Sequence, residues 1–336
     1  MAGQHLSARS PRRRPARHRA ISIVLALGVA AGLALTACSS SSPVAAPHNV
    51  ATTAPRPTQP TPSATTPTPA ATPAAEQPGW TVVSRLGLGI AVDRHRSHLP
   101  DGDVVTVLRF HAGLVHYALH VGWVDPPGGA AAPASARPVI GPDQHAKLLA
   151  AFNGGFLMGA GCIPCGVGGM EVAGHVFVPL VADMTSLVLD RQGAASMGLW
   201  GHGFPRAGAA VYSVRQCLPP LVSGGRPSPT AGDVSAWGAV LGGGELTARS
   251  AVGIDARGDL LYAGSMSALP SDMARALVRA GAVTAMQFDI NPEWVQADTA
   301  PFPGGPLSAA VPGQNRPADQ YLTGWTRDYV TVLAGS

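Results

Sequence analysis

Val115, Tyr117, Leu119, Val121 and Trp123 alternate with His116, Ala118 and His120, the period-two pattern of a strand with one buried face. Val104–Phe110 is strand-like as well, and His111-Ala112-Gly113 is placed to close a hairpin between the two. Apolar runs predict further strands at Thr81–Leu86, Leu148–Phe152, Ser186–Leu189, Ala251–Ile254, Leu260–Ala263 and Val283–Ile290, with Asp255-Ala-Arg-Gly258 as a hairpin loop. One helix stands out. Ser271 is placed as its N-cap after Pro270, Asp272 lies in its first turn, Leu277 and Val278 turn inward, and Gly281 stops it. The helix joins Leu260–Ala263 to Val283–Ile290 as a β-α-β unit, right-handed if the strands are parallel neighbours. Together these elements predict an α+β (mixed α/β) fold, a strand-rich domain with a mixed sheet and a few helices. His116 and His120 share a face, but four residues of strand hold them about 13 Å apart. That is too far for one metal ion, so both read as surface histidines. No metal or cofactor is expected.

Ahead of the folded part the pattern changes kind. Arg9, Arg12, Arg13, Arg14, Arg17 and Arg19 form a basic stretch, and Ala20 to Ala37 then runs without a charge. The run ends in Leu35-Thr36-Ala37-Cys38, which completes a secretory signal and resembles the lipobox of bacterial lipoproteins. Residues 1–37 are therefore read as a lipoprotein signal peptide and Cys38 as the acylated residue that holds the chain to the outer face of a membrane in the cell envelope. An uncleaved anchor helix is the alternative, since the run is long enough to span a bilayer. Ser39 to Pro78 holds ten prolines and no aromatic residue. It cannot bury enough apolar surface to fold and reads as a disordered tether. The folded domain is placed at 79–336.

Charge changes the picture once it is divided. Seven of the 23 Lys and Arg lie before residue 79, against one acidic residue, Glu76. The domain keeps sixteen basic and eighteen acidic side chains, a net charge of −2. Composition thus gives no basic face for nucleic acid. Cys162, Cys165 and Cys217 remain after the signal, and export favours a disulfide. The expected bridge is structural, joining Cys217 to one of the pair. The Cys162-Ile-Pro-Cys165 spacing also occurs in thioredoxin-like redox motifs, although here glycines flank it on both sides.

Two stretches suggest chemistry. In Ala151-Phe152-Asn153-Gly154-Gly155-Phe156 a strand runs into a glycine pair, whose backbone N–H groups can approach a ligand closely. An ordinary Asn-Gly turn is the alternative. In Phe288-Asp289-Ile-Asn291-Pro-Glu293-Trp294 an apolar run ends in polar and ring-constrained residues, where ligands collect on α/β sheets. Alternatively, Asp289 merely caps a turn and Asn291-Pro292 breaks the strand.

These blocks resemble the phosphodiester glycosidases related to the lysosomal uncovering enzyme. Phe152 to Phe156 is similar to the family's Asn-Gly-Gly-Phe block, Arg249-Ser-Ala-Val-Gly-Ile-Asp255 to its Arg-Thr-Ala-Ile-Gly segment, and Arg316-Pro317 to a later Arg-Pro-Val. The likeness is ordered and spans roughly Leu148 to Leu333. One departure matters. The family follows its aspartate with a glycine-rich Asp-Gly-Gly-Gly-Ser loop, whereas this chain reads Asp289-Ile-Asn-Pro-Glu-Trp294.

The resemblance implies hydrolysis of a sugar-1-phosphodiester, with cell-envelope carbohydrate or phosphoglycan as the partner. On that basis Arg249 holds the phosphate through its bidentate fork, with Arg316 as a second candidate and the Gly154 and Gly155 amides assisting. Asp289 activates water or stabilises an oxocarbenium-like sugar. Asn153 and Asn291 orient sugar hydroxyls, and Glu293 is a candidate second acid/base. The altered loop also fits a non-catalytic module that binds envelope glycan.

Overall fold

A computed structural model of the chain describes residues 73–158, 168–238 and 244–335. The expected signal segment, Cys38, most of the expected tether, Cys162 and Cys165 lie outside the described residues. In chain order the first strands are β1 (Thr81–Leu86), β2 (Gly89–His98), β3 (Val104–Phe110), β4 (Val115–His120), β5 (Leu148–Asn153), β6 (Met170–Val172), β7 (His175–Val178), β8 (Thr185–Leu189) and β9 (Ala195–Leu199). They are followed by β10 (Ser213–Gln216), β11 (Val222–Ser223), β12 (Arg226–Pro227), β13 (Thr247–Asp255), β14 (Leu260–Ala268), β15 (Ala282–Gln287), β16 (Ala297–Thr299), β17 (Ser308–Ala309) and β18 (Tyr329–Ala334). Two α-helices occur among the described residues, α1 (Pro142–His145) and α2 (Pro270–Arg279).

The expected α+β class is overturned: the chain is mostly β, with 40% of residues in strands and 12% helical. An eight-stranded sheet runs β1-β2-β3-β14-β13-β15-β11-β12, and two five-stranded sheets run β7-β6-β10-β8-β9 and β17-β16-β5-β18-β4. Every strand pairing in them is antiparallel. The reason lies in β13. It pairs antiparallel with both β14 and β15 and separates them. The helix therefore links two strands that run the same way without being neighbours, and no parallel ladder forms.

Burial explains the long apolar runs. Alternate residues of the eight-stranded sheet point to opposite covered faces. Ala251, Leu261, Ala263 and Ala285 pack under α2 with Met273 and Leu277. Val252, Leu260, Tyr262 and Met286 join the central core with Phe110, Phe152, Leu187, Val330 and Val332 from all three sheets. With both faces covered, a strand loses its polar positions and its visible alternation. Fully burying a Val, Leu, Phe or Met side chain among them contributes about 1.5–3 kcal/mol.

Local expectations hold unevenly. β1 and β3 have the expected bounds, and Asp255 to Gly258 does close the β13–β14 hairpin through the Gly258 N–H to Asp255 carbonyl bond. His111-Ala112-Gly113 closes no hairpin, because β3 and β4 belong to different sheets. Ser271 lies inside α2; Leu269 is the N-cap residue, Pro270 begins the helix, and the Asp272 carboxylate accepts a 2.9 Å bond from the Leu269 N–H. His120 is buried rather than on the surface, stacked on Tyr329 at 4.6 Å and within 3.1 Å of Thr331 Oγ1. Burial pushes its pKa down to about 4, so it is neutral. His116 is half-buried.

Candidate functional site

Strand β5 delivers Asn153 to the place where the three sheets meet. Its side chain is 3% exposed and saturated. Nδ2 donates to Ser250 Oγ at 2.8 Å and to the Gly154 carbonyl at 2.7 Å. Oδ1 accepts from Tyr262 Oη at 2.8 Å and the Gln296 N–H at 3.2 Å. Ser250, on β13, carries the connection onward. Its hydroxyl accepts from the Asp289 N–H at 3.1 Å, and its own N–H donates to the Asp289 carbonyl at 2.8 Å.

Asp289 follows β15 and is buried. One carboxylate oxygen pairs with Arg327 Nη1 at 2.8 Å and the other accepts from the Asn291 N–H at 2.8 Å. Burial raises its pKa, and the charge of Arg327 opposes that rise. The loop after it caps itself: Asn291 Oδ1 accepts from the Glu293 N–H at 2.9 Å, and the Trp294 N–H bonds the Asn291 carbonyl at 2.8 Å. Consecutive side-chain-to-backbone turns of this kind shape the segment Asp289–Trp294 without a glycine.

Arg327 ties the sheets together. Besides Asp289 it donates from Nη2 to the Gly155 carbonyl at 2.8 Å, and its guanidinium lies 5.0 Å above the Trp294 ring. Its Nε has no hydrogen-bond partner among the described residues. The next residue, Asp328, forms a fully buried pair with Arg215 of β10 at 2.8 Å. Burial works against the Arg215 cation, yet Asp328 beside it raises the pKa overall. The glycine pair makes room for this network. A Cβ on Gly154 would lie 1.9 Å from the Asp328 carboxylate, and one on Gly155 would lie 2.9 Å from the Arg215 guanidinium. The Gly154 N–H is spent on the Asp328 carbonyl at 2.9 Å.

Towards solvent, Glu293 pairs with Arg316 at 2.7 Å and accepts from Asn315 at 2.9 Å. Arg316 lies 5.1 Å from the Trp325 ring and 5.8 Å from the Trp294 ring. Asn153 and Asp289 are thus joined through Ser250, Gly155 and Asp289 through Arg327, and Asn291, Glu293 and Arg316 extend the group outwards. Arg249 is not part of it. It shares the α2-facing side of β13 with Ala251, donating to the Ala268 carbonyl at 2.9 Å and Gln287 Oε1 at 3.0 Å. Burial there lowers its pKa to about 10. Cys217 is a buried thiol 3.6 Å from the Phe288 carbonyl, and among the described residues it has no disulfide partner, its expected partners Cys162 and Cys165 lying outside them. Burial raises its pKa to about 11, which keeps it protonated and unreactive.

Ser250, Arg215, Arg327, Asp328 and Asp125 escaped the sequence reading. One signal was there. Arg327-Asp328 stands directly before the apolar run Tyr329–Ala334 in a chain with only 12% charged residues. Asp125, only 2% exposed, accepts from the Met158 N–H with both carboxylate oxygens, at 3.1 and 3.0 Å, and burial raises its pKa. Three carboxylates and two guanidinium groups therefore surround one junction. Arg215 pairs with Asp328 and Arg327 with Asp289, and among the described residues no group of three or more His, Cys, Asp or Glu is set to hold a metal ion.

No family model and no curated protein matches the chain. Among solved structures it is similar to the catalytic domain of zebrafish N-acetylglucosamine-1-phosphodiester alpha-N-acetylglucosaminidase, auto-inhibited by its pro-peptide. That match has 14% identity and a TM-score of 0.46, over 76% of this chain and 88% of that one. A hypothetical protein from Synechocystis matches at 11% identity and a TM-score of 0.41, over 74% of this chain and 63% of that one. At these scores and identities, neither match assigns an activity to this chain.

Proposed function

We propose that this chain is an exported, Cys38-anchored hydrolase of sugar-1-phosphodiesters in cell-envelope glycans. The observation that carries the reading is the joining of two motif blocks at one buried point. Asn153 and Asp289, 136 positions apart, meet through the single hydroxyl of Ser250, itself in the third block. In the reaction, water adds to the anomeric carbon and the bond from that carbon to the phosphate oxygen breaks. The electron pair leaves with the phosphomonoester. Little acid assistance is needed, since the departing phosphate has a second pKa of about 6. Asp289, paired with Arg327, stabilises positive charge developing on the sugar. Arg316, whose side chain is 34% exposed and, among the described residues, opposed only by Glu293, holds the phosphate. Arg249, under α2, has no part in it.

A second reading, a glycan-binding module without turnover, is favoured by one specific observation: both oxygens of Asp289 are already engaged. The two separate on a synthetic N-acetylglucosamine-1-phosphodiester. Hydrolysis predicts released sugar, lost by about a hundredfold or more in Asp289→Asn. Binding without released sugar supports the module. Full activity in Asp289→Asn removes Asp289 from the mechanism.

A further inference from the structure

Three carboxylates face the Arg215–Arg327 junction, and they differ in what they have left to offer. A carboxylate has about four lone-pair positions. Asp328 commits both oxygens to Arg215, at 2.8 and 3.3 Å, and Asp289 commits one to Arg327 and one to the Asn291 N–H. Asp125 is different. Among the described residues its two oxygens share one donor, the Met158 N–H. A carboxyl group buried this deeply with one hydrogen-bond donor is under-satisfied. It is nonetheless firmly placed, because the N–H groups of Val124 and Asp125 both donate to the Thr326 carbonyl at 3.0 Å, directly before Arg327.

We infer that Asp125 is the catalytic base of the site, the carboxylate that receives a proton from the water attacking the sugar. The inference deepens the sugar-1-phosphodiester reading and rests on it. One O–H bond of water breaks as its oxygen bonds the anomeric carbon. The proton passes to Asp125 and then to solvent, and the phosphomonoester leaves with the electron pair of the broken carbon–oxygen bond. A base needs free lone pairs and a pKa lifted towards the working pH, and Asp125 has both. The charged groups facing it are Asp328, which raises its pKa, and Arg215 and Arg327, which lower it; burial outweighs them all.

The test compares the full chain with Asp125→Asn on the same synthetic phosphodiester across pH 4 to 9. In the parent, kcat falls on the acid side as Asp125 is protonated. In Asp125→Asn, kcat falls by roughly 100-fold or more, KM stays within a few-fold, that acid limb disappears, and added azide restores part of the rate. Parent-like kcat with an unchanged acid limb in Asp125→Asn overturns the inference while leaving the hydrolase reading intact. A parent that releases no sugar removes both. If Asp125→Asn loses its cooperative thermal transition, Asp125→Glu takes its place. It keeps the charge and shifts the oxygens by one methylene, so kcat is expected to fall at least tenfold at constant KM, and an unchanged kcat overturns the inference.

Discussion

Asp289 and Asp298 are buried alike but compensated differently. Asp289 faces a guanidinium. Asp298, on β16, has among the described residues only the side-chain amides of Gln296 and Gln314, at 2.7 and 2.8 Å. Amides satisfy the oxygens without cancelling the charge, so burial pushes the Asp298 pKa up to about 8. A carboxyl whose folded pKa exceeds its unfolded value of 3.8 contributes stability that is fully present below pH 3.8. That contribution is lost as pH rises towards the folded value. The chain should therefore lose stability between pH 4 and 8, at up to about 1.4 kcal/mol per pH unit from this group. Asp298→Asn, close in shape and without charge, should flatten that slope. Urea unfolding at pH 5 and pH 8 measures it, and equal slopes in the two proteins would refute the assignment.

At the scale of elements, α2 is the clearest case of sequence dictating structure. Met273, Ala274, Ala276 and Leu277 form its buried stripe, and Gly281 ends it with φ of +100°. Its start is held by Asp272, which accepts the Leu269 N–H and also favours the positive end of the helix dipole. Asp272→Ala should cost about 0.5–2 kcal/mol, read as a lowered midpoint of thermal unfolding with the fold retained. An unchanged midpoint would count against the cap. Local chemistry of this kind was legible, as were β1, β3 and the β13–β14 hairpin. Strand β2 was not, because Asp93, Arg94, His95 and Arg96 look like surface in the sequence. Across the sheet, Asp93 pairs with Arg109 at 2.6 Å, and both are buried. The site shows the same division. Asn153 and Asp289 stand in recognisable blocks, but Arg215 and Asp328 acquire meaning only from each other, 113 positions apart. Arg249 misled for the converse reason: its block is on the right strand, but strand alternation turns it to the opposite face.

For the whole molecule, three sheets converge on one charged junction, and the remaining question is what brings that junction to its substrate. The proposed answer is a lipid on Cys38 alone. Each buried CH₂ of an acyl chain contributes about 0.8 kcal/mol, so two or more chains hold a protein firmly. Electrostatic adsorption contributes about 1 kcal/mol per Lys or Arg near an anionic surface, and residues 79–336 carry a net charge of −2. Salt should thus have nothing to screen. In bacterial membranes carrying the full chain, 1 M NaCl should release none of it, detergent should release all of it, and mass spectrometry should find acyl chains on Cys38. Cys38→Ser separates the lipid from an uncleaved helix. Without the acceptor thiol, a lipoprotein either keeps its signal unacylated or is secreted by another protease, and the acyl mass vanishes in both cases. An unmodified Cys38 in the parent, with residues 1–37 still attached, would instead establish the helix. Release by salt would mean that a basic surface, hidden by the domain's acidic balance, does the holding.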